Sequence, residues 1–192
     1  MSAEIKICGV NDADFAVEAE RLGADYLGFI FAEESPRRVT TGFVREVRAR
    51  LHGSAETVGV FTSAPVPEVL AVASECGLDV VQLHRRAGSR EVDEIRSAGF
   101  EVWTLAGGAE GDAVLFDSSH GDGETVMRKG AFRTVLAGGI SAETVGVALA
   151  GGADVIDVSG SLESSRGVKS IGRLREFFDA VRAAKGKELG GC

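Results

Sequence analysis

The chain has 192 residues, 44% of them hydrophobic and 26% charged, which is the range of one ordinary globular domain with a single buried core. A formal charge of -8, with 21 Lys and Arg scattered rather than bunched, argues against a nucleic-acid partner and requires any anionic substrate to be met by local arginines and backbone N–H groups. No segment approaches the roughly 18 uncharged apolar residues of a membrane helix, the start MSAEIKICG lacks a long apolar run, and Cys8, Cys76 and Cys192 have no zinc-like spacing, so the expectation is a cytoplasmic protein with reduced thiols and no membrane partner.

In chain order, a first strand over 4–8 ends in Cys8 and passes through Gly9 into a helix over 12–22, with Phe15, Ala19 and Leu22 on one face. A second strand, 25–31, leads into Ser35-Pro36-Arg37-Arg38 and a helix over 41–51. The third strand, 56–62, is followed by a helix over 65–76, and the fourth, 79–83, carries Gln82, ends beside His84 and precedes a helix over 89–98. The fifth strand, 100–105, is joined to the sixth, 112–117, only by AGGAEG, too short for a crossover helix. The sixth ends in Asp117, after which DGETVMRKG holds about two turns of helix. The seventh, 132–137, ends in Ala137-Gly138-Gly139 before a helix over 141–150, and the eighth, 154–158, ends in Ser159-Gly160-Ser161, a turn able to open a short extra helix. A last helix covers 170–184, and the composition of the tail, 186–192, predicts flexibility.

A phrase recurs along this path: RLGADYLGFIF, ECGLDVVQLH and AGGADVIDVSG each end a helical pattern with glycine and then write Asp and an apolar run. Gly23, Gly77 and Gly152 fit the left-handed position that closes a helix, and the runs are too short and apolar for anything but buried strands. Eight such βα units predict an α/β protein, a single (β/α)8 TIM barrel over residues 1–185 with a reduced or missing fifth helix and a shortened sixth; an open doubly-wound sheet is the alternative.

Either architecture gathers its chemistry at the carboxyl ends of the strands. Gly138-Gly139 and Ser159-Gly160-Ser161 expose N–H groups without bulky side chains and suit a phosphate, or are merely tight turns. Cys8 is a reactive thiol or a space filler, and Asp117 a working carboxyl or a helix cap, a duty Ser118 or Ser119 could equally take. Gln82 and His84, two apart, face the same side, where a hydrogen-bonded structural histidine is the plainer reading; Arg37 is a solvated charge or a carboxylate clamp.

KICG at 6–9, LGFIF at 27–31, SPR at 35–37, VGVF at 58–61, VVQLH at 80–84, LFDS at 115–118, LAGGI at 136–140 and DVSG at 157–160 resemble, in order and spacing, the phosphoribosylanthranilate isomerase family of tryptophan biosynthesis. The resemblance spans about residues 4 to 184 and implies a (β/α)8 barrel. It also implies an Amadori rearrangement of N-(5-phosphoribosyl)anthranilate to 1-(2-carboxyphenylamino)-1-deoxyribulose 5-phosphate, without metal or cofactor. It gives Cys8 the role of general base, Asp117 that of general acid, Arg37 the anthranilate carboxylate and the two glycine loops the phosphate. The acid role needs a partly desolvated carboxyl, and the base role needs neighbouring charge that favours a thiolate. The chain departs from the family pattern at HGDGETVMRKGAF, which lacks the usual glycine-rich stretch and tryptophan, at SGSLE, which replaces SSGVE while keeping Glu163, and at Arg85-Arg86, where Gly-Asp is usual. A sister histidine-pathway enzyme carries aspartate where Cys8 stands; other phosphosugar barrels lack the KICG and SPR pair; and a non-catalytic sugar-phosphate-binding barrel is the remaining alternative. The expected partner is a phosphorylated small molecule, and the expected state a monomer or homodimer.

Overall fold

The structure, a computed structural model, describes residues 3–118 and 131–189. Eight strands alternate with helices: β1 (Glu4–Cys8), β2 (Tyr26–Ile30), β3 (Glu56–Phe61), β4 (Val80–Leu83), β5 (Glu101–Leu105), β6 (Ala113–Asp117), β7 (Arg133–Ala137) and β8 (Val155–Val158). Each pairs in parallel with its neighbours in the chain, and β8 pairs back onto β1, Lys6 facing Asp157. The sheet is therefore a closed barrel, not an open doubly-wound sheet.

Outside it lie α1 (Ala13–Leu22), α2 (Thr41–Arg50), α3 (Val66–Cys76), α4 (Ser89–Ser97), α5 (Val145–Ala150) and α6 (Ile171–Leu189). Two separate cores follow from the alternation of side chains along each strand. Ile5, Leu27, Phe29, Val81 and Ile156 point outward and pack with Phe15, Val44, Val69, Ile95 and Phe177 of the helices. Cys8, Tyr26, Val58, Val80, Trp103, Leu115, Val135 and Val155 fill the inside.

Gly23 and Gly77 close α1 and α3 in the left-handed conformation, as their place in the repeated phrase predicts. The aspartate of that phrase has a structural task. Asp25, at the entry of β2, accepts the backbone N–H of Ile5 in β1 at 2.7 Å; Asp79, before β4, accepts that of Thr57 in β3 at 2.8 Å. Asp112, before β6, accepts that of Val102 in β5 at 2.8 Å, and Asp154, before β8, that of Thr134 in β7 at 2.7 Å. Each even strand thus clasps the start of the odd strand before it, where the ladder would leave a donor unpaired.

Two expectations need correction, and one element is added. The helix placed at 141–150 begins only at Val145, because Ser141 N donates to Thr144 Oγ1 at 2.9 Å and the two residues hold a turn in place of the first helical turn. The last helix runs on past 184 into the tail to Leu189, carried by helix-forming Ala183, Ala184 and Lys185, with Lys185 Nζ donating to Ala3 O at 3.0 Å. An antiparallel hairpin, β9 (Glu163–Ser165) and β10 (Val168–Lys169), follows the short 3-10 turn Gly160–Leu162 and was not foreseen. Residues 106–111 form turns without a helix, while the segment expected to hold the shortened sixth helix lies outside the described residues.

Candidate active site

The carboxyl ends of the strands open onto one cavity of about 510 Å³. β1 delivers Cys8 to it and β6 delivers Asp117; Gln82 and His84 come from the end of β4, and Arg37 from the loop after β2. Gly138 and Gly139 after β7 and Ser159, Gly160 and Ser161 after β8 complete the wall. These ten residues, read on the sequence as catalytic or substrate-binding, all face this one space.

Cys8 ends β1 with its side chain turned inward and 9% exposed. The chain must leave at once: Gly9 has φ +71°, and a Cβ there would lie 2.5 Å from Arg37 Cδ, so only glycine fits behind the thiol. Two residues back on the same face, Lys6 is fully buried and its Nζ donates to Asp157 Oδ2 at 2.6 Å. A Cβ on Gly28, the β2 partner of Cys8, would lie 3.1 Å from Cys8 Sγ and 3.3 Å from Lys6 Nζ, so the missing side chain lets thiol and ammonium share the interior. Burial pulls the Lys6 ammonium down, but Asp157 and Cys8 outweigh it and hold it charged. The neighbouring charge expected to favour a thiolate is thus present in Lys6, with Lys169 behind it. Burial nevertheless exceeds both cations and, with Asp157 adding to it, pushes the Cys8 thiol up.

Asp117 ends β6, its side chain 11% exposed, with Oδ2 3.9 Å from His84 Nε2. His84 Nδ1 is in turn 3.3 Å from Gln82 Nε2, so Gln82, His84 and Asp117 form a file along one wall. β8 and β7 separate β1 from β6 round the ring, so thiol and carboxyl address the cavity from different sides. Ser118 Oγ donates to Gly138 O at 3.1 Å and ties β6 to the loop after β7, while the helix it was expected to cap lies outside the described residues. Ser119 lies outside the described residues.

Arg37 is held by Glu163, which accepts from Nε at 2.5 Å and from Nη2 at 2.9 Å. Burial alone would raise the Glu163 carboxyl; Arg37, the Gly167 N–H and Lys169 hold it at about 2. The β9–β10 hairpin carries both Glu163 and Lys169, and it is fastened to the loop after β1 by Asn11 Nδ2 donating to Gly167 O at 2.8 Å. The clamp arginine is therefore aimed by an element built after β8.

The two glycine loops form one cradle. Gly138 and Gly139 have φ of +90° and +65°, and Ser161 Oγ donates to Ile140 O at 2.6 Å, linking the loop after β7 to the turn after β8. Ser159 Oγ donates to Cys8 O at 3.0 Å, and Lys169 Nζ to Ser159 O at 3.0 Å. Gly160 and Ser161 of the 3-10 turn line the cavity beside Gly138 and Gly139, and the Leu162 N–H closes the turn onto Ser159 O at 3.2 Å. The Arg85-Arg86 departure is structural at its first position: Arg85 donates to Glu91 of α4 at 2.9 and 2.6 Å.

A family model described as N-(5'-phosphoribosyl)anthranilate (PRA) isomerase matches residues 5–180. The chain belongs to the phosphoribosylanthranilate isomerase family. It is 35% identical over 205 residues to the N-(5'-phosphoribosyl)anthranilate isomerase of Rubrobacter xylanophilus, covering 94% of this chain and 100% of the relative. The crystal structure of phosphoribosyl anthranilate isomerase from Thermus thermophilus superposes with a TM-score of 0.82 at 29% identity over 94% of this chain and 98% of that one. A phosphoribosyl anthranilate isomerase in complex with reduced 1-(o-carboxyphenylamino)-1-deoxyribulose 5-phosphate superposes with a TM-score of 0.80 at 25% identity, over 94% and 99% of the two chains.

Sequence reasoning from single residues missed the roles of Lys6, Asp157 and Lys169, and it registered Glu163 only as a residue kept from the family pattern. The signal for the first two was present: Lys6 shares a strand face with Cys8, and Asp157 interrupts the apolar run VIDV, one charge of each sign in strands that a closed barrel makes neighbours.

Proposed function

We propose that this protein catalyses the Amadori rearrangement of N-(5-phosphoribosyl)anthranilate to 1-(2-carboxyphenylamino)-1-deoxyribulose 5-phosphate in tryptophan biosynthesis. The observation that carries this reading is a thiol and a mostly buried carboxyl on different walls of one cavity, between an arginine and a glycine-rich cradle. The cradle of Gly138, Gly139, Ser159, Gly160 and Ser161 takes the phosphate, as backbone N–H groups suit a dianion in a chain of net negative charge. Arg37, fixed through Nε and Nη2, presents Nη1 to the anthranilate carboxylate.

Asp117 delivers a proton to the furanose ring oxygen; the C1–O bond breaks and the nitrogen lone pair forms the protonated Schiff base. Cys8 removes the proton from C2, its electron pair forms the C1–C2 double bond, and the iminium nitrogen is neutralised; the resulting enol tautomerises to the ketose. Every step moves protons, so the two side chains are the chemical equipment the reaction asks for. Gln82 and His84 line the wall beside Asp117 and keep its orientation. The reading places a phosphorylated small molecule as the substrate of a cytoplasmic single-barrel enzyme, acting as monomer or homodimer without nucleic-acid or membrane partners.

The test is turnover. Purified protein incubated with phosphoribosylanthranilate should consume its fluorescence, and Cys8→Ser and Asp117→Asn should each lose on the order of 10²- to 10⁴-fold in kcat. Unchanged rates in both variants, measured on proteins with unaltered circular dichroism, would overturn the assignment.

A further inference from the structure

Among the described residues, three buried side-chain atoms have no hydrogen-bond partner, and two of them, Asp157 Oδ1 and Gln82 Oε1, belong to residues that line the cavity. A buried carboxylate oxygen left without a donor is costly, and two acceptors on one floor ask for an occupant that brings donors. Asp157 is 7% exposed, and its other oxygen is already taken by Lys6, which fixes the carboxylate plane. It stands on β8, next to β1, so it flanks the thiol of Cys8. We infer that Asp157 is a positioning residue that accepts a hydrogen bond from the C2 hydroxyl of the sugar and thereby turns the C2–H bond towards Cys8 Sγ.

This rests on the function proposed above and adds to it the group that reads the pentose. The hydroxyl and the hydrogen that leaves are on the same carbon. Anchoring the first to a carboxylate locked on β8 fixes the direction of the second towards the neighbouring strand. Lys6 acts through Asp157, holding its Oδ2 at 2.6 Å and so fixing where Oδ1 stands. Gln82 Oε1, on β4, offers a further acceptor across the floor.

The experiment measures calorimetric affinities of the unreactive reduced product analogue, a phosphorylated pentitol amine, and of its 2-deoxy and 3-deoxy counterparts. In the unaltered protein, loss of the C2 hydroxyl should weaken binding about tenfold or more, the usual effect of a hydrogen bond to a charged group. Because Asp157→Leu alone strands a buried ammonium and can unfold the barrel, the variant is Lys6→Met with Asp157→Leu, which replaces the pair by neutral residues of similar volume. There the 2-deoxy penalty should shrink below about threefold while the 3-deoxy penalty stays as in the unaltered protein. An equal 2-deoxy penalty in both proteins, or a penalty that vanishes for the 3-deoxy compound instead, overturns the inference. Failure of the unaltered protein to turn over phosphoribosylanthranilate overturns the parent reading and this one together; turnover with no effect of the C2 hydroxyl overturns only this one.

Discussion

Cys8 sits between opposed fields: burial favours the neutral thiol, while Lys6 on its own strand and Lys169 on β10 favour the thiolate. Burial prevails, so the free protein carries a protonated thiol at neutral pH, and kcat/KM should climb with pH from about 6 to 9 as the thiolate fraction grows. A stopped assay across that range checks it, and a flat profile would mean that another group limits the reaction. Glu163 is the complementary case. With its carboxyl held at about 2, against an ordinary value of roughly 4.3, its bonds to Arg37 stabilise the fold fully above that ordinary value and lose their effect as the pH falls towards 2. Glu163→Gln should therefore lower the urea midpoint most at pH 6 and progressively less from pH 5 to 3. By releasing Arg37 it should also raise KM for phosphoribosylanthranilate about tenfold, with a smaller effect on kcat.

At the scale of elements, the recurrent glycine and aspartate are two parts of one joint. The glycine ends a helix, and the aspartate that follows fastens the incoming strand to the one before it, at Asp25, Asp79 and Asp154 in the repeated phrase and at Asp112 outside it. Asp79 also accepts from Thr57 Oγ1 at 2.7 Å, and Thr57 is 1% exposed, so its loss strands two buried donors. Asp79→Ala should cost about 1–3 kcal/mol in urea unfolding. Asp93→Ala, on the exposed face of α4, should stay within about 0.5 kcal/mol. The hairpin β9–β10 works differently: it contributes little core and serves to hold Glu163 and Lys169 against Arg37 and Ser159.

Across the whole molecule, closure fills the barrel with a few large groups. Trp103 of β5 is fully buried, its ring meets Tyr26 of β2 edge-on at 4.9 Å, and its Nε1 donates to Glu101 at 2.6 Å. Arg133 of β7 reaches past β8 to Glu4 of β1 and Tyr26 of β2, bracing strands that share no ladder with β7. Trp103→Ala should cost about 3–5 kcal/mol, measured as a shift in the urea midpoint without a change in slope. An unchanged midpoint would show that the interior does not carry the stability of the ring.

The sequence by itself determined the elements and most of the cavity wall. Strand runs, glycine stops and the residue at each strand end are local properties, and once the strands are parallel their carboxyl ends must share one mouth. Cys8, Arg37, Gln82, His84 and Asp117 were legible for that reason. Only the tertiary structure decided which charges meet. The Lys6–Asp157 pair joins residues 151 positions apart through the β1–β8 seam, and Arg37 reaches Glu163 across 126 positions through a hairpin that carries no apolar periodicity. Periodicity and turn chemistry describe neighbours along the chain; which buried charge finds its partner depends on ring closure, and no local pattern of residues encodes that distance.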